Sequence, residues 1–503
     1  MTGPALLALA LAASDPETIR IASKKFTESV LLAEMAGQLA ESAGAAVERR
    51  EELGGTRLVW EALLRGEVDL YPDYTGTLSR EILGMPAGAD EADLARALAS
   101  KGVALTRPLG FQDSYAIGLR GEVARRLGIA TLSDLARHPE LRLAFTEEFV
   151  DRADGWPLLR DRYHLRQRGV RGLDHDIAYR ALASGEIDGT DLYTTDAEIE
   201  RYHLAVLEDD RHAFPAYRAV LVYRADLARR APEALAAVRS LEGRISASAI
   251  ISMNARARFD RAPPAEIASA FLAETLGVRA RVSVAGLGAR LWQRTGEHLA
   301  LVAVSLSLAI AVAIPLGVWA ARRRRAGRVI LGAVGVVQTV PSLALLVFMI
   351  PLLGIGARPA VAALALYALL PIVRNTHAGL VGIAPELRES AEALGLPPGA
   401  RLWLVELPLA APSVLAGVKT SAVITVGTAT LGALIGAGGY GQPILTGIRL
   451  ASTSLILEGA VPAALLALAV QGVFDLSERA LVPRGLRAEA PRARRAEAVD
   501  RRG

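Results

Sequence analysis

Residues 299–321 read LALVAVSLSLAIAVAIPLGVWAA, and residues 322–325 follow as four consecutive arginines. A helix of that length rises 1.5 Å per residue and covers about 35 Å, enough to cross a hydrocarbon core about 30 Å thick. No charge interrupts the stretch, so it has no polar face for water. Arginines at the end of an apolar span mark its cytoplasmic side, which predicts that this span runs from outside to inside.

Four further apolar segments follow: Val329–Leu353, Pro359–Val373, Pro412–Ile435 and Leu455–Val473. The third is short and must borrow flanking residues or be protected by its neighbours. Alternation from the first span puts the Gly354–Arg358 turn outside, the charged segment Asn375–Leu409 inside, the Gly436–Pro443 loop outside and the arginine-rich tail inside. Everything before Leu299 is then outside. The spans are rich in Gly, Ala, Ser and Thr, which lets helices pack closely in lipid. Pro315, Pro341 and Pro462 read as kinks.

Upstream, charge and apolar residues mix as in a soluble α/β protein. Ile19–Ala22 is a strand candidate leading into a helix from Ser29, and the alternation of such elements predicts α/β lobes with parallel sheets. One internal echo stands out: Ala62-Leu-Leu-Arg-Gly-Glu-Val-Asp69 against Ala181-Leu-Ala-Ser-Gly-Glu-Ile-Asp188. Each reads as a helix end, a Gly stop and a short strand, and a tyrosine lies five residues after each aspartate, at Tyr74 and Tyr193. The carboxyl ends of strands in open α/β sheets are where ligands bind.

Composition narrows the chemistry. The 503 residues contain no cysteine, which excludes disulfides, thiolate zinc sites and cysteine nucleophiles. The net charge is +4, and the arginine clusters flank apolar spans rather than forming a nucleic-acid patch. The seven histidines lack metal-ligand spacing, and no nucleophile or acid–base constellation stands out, so neither metal, cofactor nor catalytic residue is expected. Pro4–Ala13 is too short to span a bilayer. Ala10-Leu-Ala12 suits a signal-peptidase site, whereas no Lys or Arg precedes the stretch; both readings stay open. The expected organisation is an apolar segment at 1–14, a binding domain at 15–277, a linker at 278–296, a membrane domain at 297–483 and an arginine-rich tail at 484–503.

The inside loop runs Glu386-Leu-Arg-Glu-Ser-Ala-Glu-Ala-Leu-Gly395, then Leu-Pro-Pro-Gly, then Ala-Arg-Leu-Trp-Leu-Val-Glu-Leu-Pro408. It reads as a charged helix, a glycine turn and a second helix closing on proline. This segment resembles the coupling loop of ABC importer permeases, with pattern Glu-Ala-Ala, three residues, Gly, nine residues, Ile-x-Leu-Pro. Glu389, Ala391, Gly395, Val405, Leu407 and Pro408 fall on it in register; Ser390 and Val405 depart mildly. Gln338-Thr-Val-Pro-Ser342 and Gly436-Ala-Gly-Gly-Tyr-Gly441 are similar to the osmoprotectant branch. The resemblance implies a separate ABC ATPase as partner and a second permease half, expected as a homodimer. A phosphate loop would need Gly-Lys, and that dipeptide is absent from the chain, so the ATPase is expected in another chain.

The soluble domain is similar to binding proteins for glycine betaine, choline and related osmoprotectants. The matching stretches are Ile21-Ala-Ser-Lys-Lys-Phe-Thr-Glu28, Leu53-Gly-Gly-Thr56, Tyr71-Pro-Asp-Tyr-Thr-Gly-Thr77, Asp113-Ser-Tyr115, Glu148-Phe-Val-Asp-Arg152, Tyr193-Thr-Thr-Asp196 and Phe214-Pro-Ala-Tyr217. The resemblance implies a two-lobed, type II periplasmic-binding-protein-like α/β domain, followed by an all-α transmembrane permease of about five helices. It also implies a quaternary-ammonium cage of Tyr74, Tyr115, Tyr193 and Tyr217, with Lys24 and Arg152 on a ligand carboxylate and Thr77 and Asp113 at further pocket positions. Aromatic faces attract a cation that cannot donate hydrogen bonds, each contributing about 0.5–2 kcal/mol, and Arg grips a carboxylate with two parallel bonds. Trp60, Trp156 and Tyr71 read as packing residues.

The expected function is therefore import of a betaine-like zwitterion across the cell membrane by a fused receptor and permease. Ergothioneine, carnitine or choline are the alternative solutes within the same family. A ligand-sensing membrane receptor is a rival of another class, but only about 20 residues follow Pro483, too few for a transducer domain.

Overall fold

The computed structural model describes residues 18–86, 90–279, 286–450 and 452–481. The possible signal segment and the arginine-rich tail lie outside the described residues. The chain divides into two compact units, one ending at Val284 and one starting at Ala285, and each is taken by itself.

In the first unit, β1 (Thr18–Ala22), β2 (Ala46–Arg50) and β3 (Leu70–Tyr74) are joined through helices α1 (Thr27–Ser42) and α2 (Thr56–Leu64). β1 pairs in parallel with both β2 and β3. The sheet order is β2-β1-β3-β10-β4, with β4 at Val103–Leu105 and β10 at Ala219–Arg224. β10 runs antiparallel to β3 and β4, so within this sheet the expectation of parallel strands holds only for β1–β3. The reason is the chain path: β5 (Tyr115–Arg120) opens the second lobe and β10 brings the chain back, reversed.

The second lobe holds a three-stranded antiparallel sheet β8-β5-β9, of Gly189–Tyr193, Tyr115–Arg120 and Leu204–Val206, and a parallel pair β6 (Ala144–Thr146) with β7 (Arg171–Leu173). Its core centres on Ile117, Leu119, Leu143, Phe145, Phe149 and Leu159. The first-lobe core is built around α1, whose Leu31, Leu32, Met35 and Leu39 meet Ile19, Ile21 and Leu221. Two late helices, α5 (Ala247–Arg258) and α6 (Pro264–Leu276), close over it through Ile250, Met253, Ile267 and Leu272; between them and α2 lie α3 (Trp156–Tyr163) and α4 (His175–Ser184). Tyr71, Trp60 and Trp156 are buried packing residues, as expected.

The sequence echo is a structural repeat. α2 ends at Leu64 and α4 at Ser184. Gly66 and Gly185 follow in the left-handed region, at φ +71 and +79. In both turns two successive amides donate to one helical carbonyl, of Ala62 or Ala181. The Asp69 amide then donates to the Arg20 carbonyl and the Asp188 amide to the Arg142 carbonyl, each at 2.8 Å. The carboxylates answer in kind: Asp69 accepts from the backbone N–H and Nε of Arg20, and Asp188 from those of Arg142. β3 and β8 then both end on a tyrosine.

The second unit is helical. α7 (Leu287–Arg322) contains the first expected span and starts early, so the segment read as a linker is helical from Leu287. The second expected span is broken: α8 (Arg324–Thr339) and α9 (Ser342–Leu353) meet at a 100° bend. Pro341 causes more than a kink. It lacks an N–H and forces Val340 out of the helical region, to ψ 128. The freed Val340 carbonyl accepts a hydrogen bond from the Tyr367 hydroxyl. The short third span resolves as α10 (Ala357–Val381), which continues through Pro371 by borrowing residues downstream; Asn375 Nδ2 donates to the Pro371 carbonyl at 2.8 Å. After α11 (Pro385–Ala393) come α12 (Leu407–Thr428), α13 (Gly441–Arg449) and α14 (Thr453–Leu481). Among the described residues, four helices are long and apolar enough to cross a membrane, or five if the bent pair counts as one span.

Small residues set the spacing around α10. A Cβ on Gly317 would meet Thr376 at 2.6 Å, one on Gly379 would meet Ser413 at 2.7 Å, and one on Gly417 would meet the Pro371 carbonyl at 2.7 Å. A Lys419–Asp475 ion pair ties α12 to α14.

Candidate functional site

Tyr115 starts β5 and Tyr193 ends β8, and antiparallel pairing sets the two residues directly opposite. Their rings lie 5.2 Å apart between centroids. Tyr217, two residues before β10, meets the Tyr115 ring edge-on at 5.5 Å. Tyr74, at the end of β3, packs against the same cluster together with Phe214. The structure thus gathers four tyrosines, three from the ends of separate strands and one from the segment leading into β10. Phe26 adds an edge to Tyr193 at 5.8 Å, a contact that the sequence reading left unassigned.

Gly76 makes this clustering possible. A Cβ there would sit 2.6 Å from the Tyr217 ring, so the glycine between Thr75 and Thr77 is a close-approach residue. Thr77 is buried at the start of the following helical turn. Gly55, in the Leu53–Thr56 stretch, allows a similar approach to Glu148, whose carboxylate would lie 2.8 Å from an added Cβ.

The two cations expected at the ligand carboxylate are buried and engaged. Lys24 Nζ is 2.6 Å from Asp73 Oδ1 and 3.1 Å from Thr56 Oγ1. Arg152 donates two bonds to Asp154, at 2.8 and 2.7 Å, and Asp154 also accepts from the Tyr217 hydroxyl at 2.7 Å. Burial alone would raise the Asp154 carboxyl, but the hydrogen bond and charge of Arg152 outweigh it and hold the group below the usual carboxylate range. Lys24 Nζ and the Arg152 guanidinium also lie 5.8 and 5.4 Å from the ring centroids of Tyr74 and Tyr115. Two of the four rings therefore already carry a cation on one face.

Glu28 is the residue that the sequence reading missed. It sits in the first turn of α1 and is buried. One carboxylate oxygen accepts from the Tyr74 hydroxyl; the other accepts from Thr195 Oγ1 at 2.6 Å and Asn254 Nδ2 at 3.0 Å. It thereby joins β3, the segment after β8 and α5. Burial raises its pKa, and the three hydrogen bonds offset only part of that rise. Asp113 is buried nearby and accepts from the Thr195 amide at 3.2 Å. Burial pushes its carboxyl well above the ordinary value, with repulsion from Glu28 and Asp196 adding to the effect. The only sequence signal for Glu28 was its place in the Lys24–Glu28 stretch.

In the second unit, α11 ends at Ala393 and Gly395 follows two residues on, where its φ of +77 makes a left-handed helix stop. Ala391 is buried and Glu389 is exposed. The second limb does not close on Pro408 as expected: a helical turn (Pro398–Arg401) and a wide turn (Leu402–Glu406) lead straight into α12, where Pro408 stands in the first turn and needs no donor. Leu407 is half-buried. Leu394, Leu404 and Trp403 are exposed on this loop, Trp403 at 71%.

Comparison with known proteins gives both units relatives. Residues 17–274, just over half of the chain, match the substrate-binding domain of the ABC-type glycine betaine transport system. Residues 313–486 match the binding-protein-dependent transport system inner membrane component. A choline transport system permease protein of Bacillus subtilis is 43% identical over 199 residues, 40% of this chain and 92% of that protein. An osmoprotectant import permease protein of Salmonella typhimurium is 40% identical over 198 residues, 38% of this chain and 92% of the relative. Among solved structures, a glycine betaine/carnitine/choline ABC transporter is similar at 27% identity, covering 51% of this chain and 98% of that one, with a TM-score of 0.45. The chain belongs to the ABC importers of the glycine betaine type and is a transport subunit that joins a substrate-binding domain to a membrane permease domain in one polypeptide.

Proposed function

We propose that this subunit captures a quaternary-ammonium zwitterion such as glycine betaine in its first unit and passes it through its second. The observation that carries the reading is the convergence of Tyr74, Tyr115, Tyr193 and Tyr217 on one cluster. Four faces contributing about 0.5–2 kcal/mol each supply several kcal/mol toward a trimethylammonium, before the cost of ordering the solute. Lys24 and Arg152 supply the positive charge for a carboxylate, and Thr77 and Asp113 complete the wall.

A second reading rests on the pairing of those cations. Asp73 and Asp154 already neutralise Lys24 and Arg152, whereas Glu28 and Asp113 accept hydrogen bonds only from neutral donors among the contacts above. That balance favours a solute with a positive charge and no carboxylate, such as choline. Titration calorimetry of the purified chain with glycine betaine, carnitine, ergothioneine and choline separates the two. Tighter binding of the zwitterions supports the first reading and tighter binding of choline the second; failure of every quaternary ammonium solute to bind refutes both.

The membrane side of the proposal follows charge. Arg322–Arg325 and the arginine-rich tail face the cytoplasm, which puts the receptor outside. The loop from Glu389 to Pro408, with Ala391 and Gly395 shaping it, docks on a separate ATPase through its exposed Leu394, Trp403 and Leu404. A second copy of the chain completes the pathway, because four or five spans from one chain make half of it. Solute-stimulated ATP hydrolysis by the reconstituted pair tests this part.

A further inference from the structure

Glu406 lies at the end of the wide turn that feeds α12, and it is 8% exposed. Three guanidinium groups surround its carboxylate: Arg401 at 3.5 Å, Arg322 at 3.6 Å and Arg388 at 3.9 Å. They come from three different segments. Arg322 is the last residue of α7, Arg388 belongs to α11, and Arg401 closes the turn before Glu406. Each arginine is also anchored elsewhere. Arg322 donates to the Pro398 carbonyl at 3.1 Å, Arg388 to the Leu380 carbonyl at the end of α10, and Arg401 pairs with Glu392 at 3.2 Å.

One carboxylate among three guanidinium groups leaves an excess of positive charge. Without Glu406 the three arginines would repel one another across a partly buried space, where screening is weak. The contacts are also loose. They exceed the roughly 2.7–2.9 Å of a direct charge-assisted bond, and the buried Nε atoms of Arg388 and Arg401 have no hydrogen-bond partner. The cluster holds by charge, with donors left to tighten when the segments shift.

We infer that Glu406 is a positioning residue that links the docking loop to the first span. It fixes both limbs of the loop, on α11 and on the 398–406 turn, against the end of α7. A push on the loop is then transmitted to α7 rather than absorbed in the turn. The inference rests on the proposal that this loop docks an ATPase. Glu406 occupies the open position of the Ile-x-Leu-Pro pattern, so the motif itself assigns it nothing.

Two measurements test the inference. The chain lacks cysteine, so Arg325→Cys and Gly399→Cys place a single spin-label pair on the α7 end and the loop of the purified full chain. Glu406→Gln is expected to broaden or shift the inter-label distance distribution, and Glu406→Asp to restore it. Arg322→Gln, which removes only the α7 arm, is expected to do the same as Glu406→Gln if the latter does not assemble. An unchanged distribution in both Gln variants overturns the inference. In liposomes with the ATPase chain, Glu406→Gln is expected to lower solute stimulation of hydrolysis at least about fivefold, at the low end of ordinary coupling strengths, with solute affinity unchanged. Unchanged stimulation overturns the inference. If the unmutated pair shows no stimulation at all, the docking proposal fails instead, whatever the labels report.

Discussion

Gly76→Ala adds one methyl group at the point where the tyrosine cluster is tightest. The new Cβ would lie 2.6–3.0 Å from three carbons of the Tyr217 ring, against ordinary contacts of 3.4–4 Å. Backbone strain cannot account for any effect: Gly76 has φ −63 and ψ −43, right-handed helical values that alanine adopts readily, and alanine would gain about 0.5–1 kcal/mol there. The ring has little room to give, because its hydroxyl is held by Asp154 and it packs edge-to-face with Tyr115. Overpacking of this kind costs about 1–3 kcal/mol. The net effect on stability is then between nothing and about 2.5 kcal/mol, less than half of what a typical domain possesses. Binding suffers more directly. A displaced Tyr217 removes one cation–π face, about 0.5–2 kcal/mol, which weakens the solute Kd roughly 2- to 30-fold. Calorimetric titration of glycine betaine into the purified chain, with thermal unfolding alongside, measures both. A Gly76→Ala protein that binds within twofold of the parent and melts at the same temperature would refute the placement of Tyr217 in the site.

Glu28→Gln is expected to change how receptor stability depends on pH. Burial raises the folded pKa of Glu28 above its ordinary value near 4.5, so between those two values the folded state binds more protons than the unfolded one, and stability falls as pH rises. The glutamine variant should flatten that slope in thermal melts taken from pH 4.5 upward; an unchanged slope would assign it to another group. Asp69→Asn and Asp188→Asn probe the repeated turn. Asp69 is fully buried between Arg20 and Arg230, and its loss should cost about 3 kcal/mol, whereas Asp188 faces more exposed arginines and should cost about 1 kcal/mol; denaturant melts giving the reverse order would contradict the burial argument. Gly395→Ala forces a side chain into φ +77 with no steric neighbour. It should cost only about 1 kcal/mol, lower solute-stimulated ATP hydrolysis and leave solute binding intact; a loss of binding would show that the loop is not a separate device.

The span count was legible because it depends on run length alone. An uncharged 23-residue stretch has few alternatives to a membrane helix. The 100° break in the second span was not legible, because proline within a helix yields either a kink or a full turn, and the choice depends on which neighbour satisfies the freed carbonyl. Here that neighbour is Tyr367, 27 residues away. The repeat around Asp69 and Asp188 was visible as five identical residues in an eight-residue stretch, and it survives in three dimensions because both turns are closed by local amides. The direction of β10 was not visible, since strand direction depends on where the chain returns from.

By itself the sequence determined the properties that are additive along the chain: the apolar spans, the arginine flanks and the glycine stops. Tertiary structure decided the partners of those residues. Lys24 and Arg152 look like free cations in the sequence, yet Asp73 lies 49 residues from Lys24 and binds its ammonium. Glu28 looks like the end of a motif, yet it joins Tyr74, Thr195 and Asn254 across 46, 167 and 226 residues. The charge that a solute meets is a sum over such pairings. Pairing depends on distance in space, which falls off as steeply as the Coulomb and hydrogen-bond terms themselves, and the fold alone sets that distance.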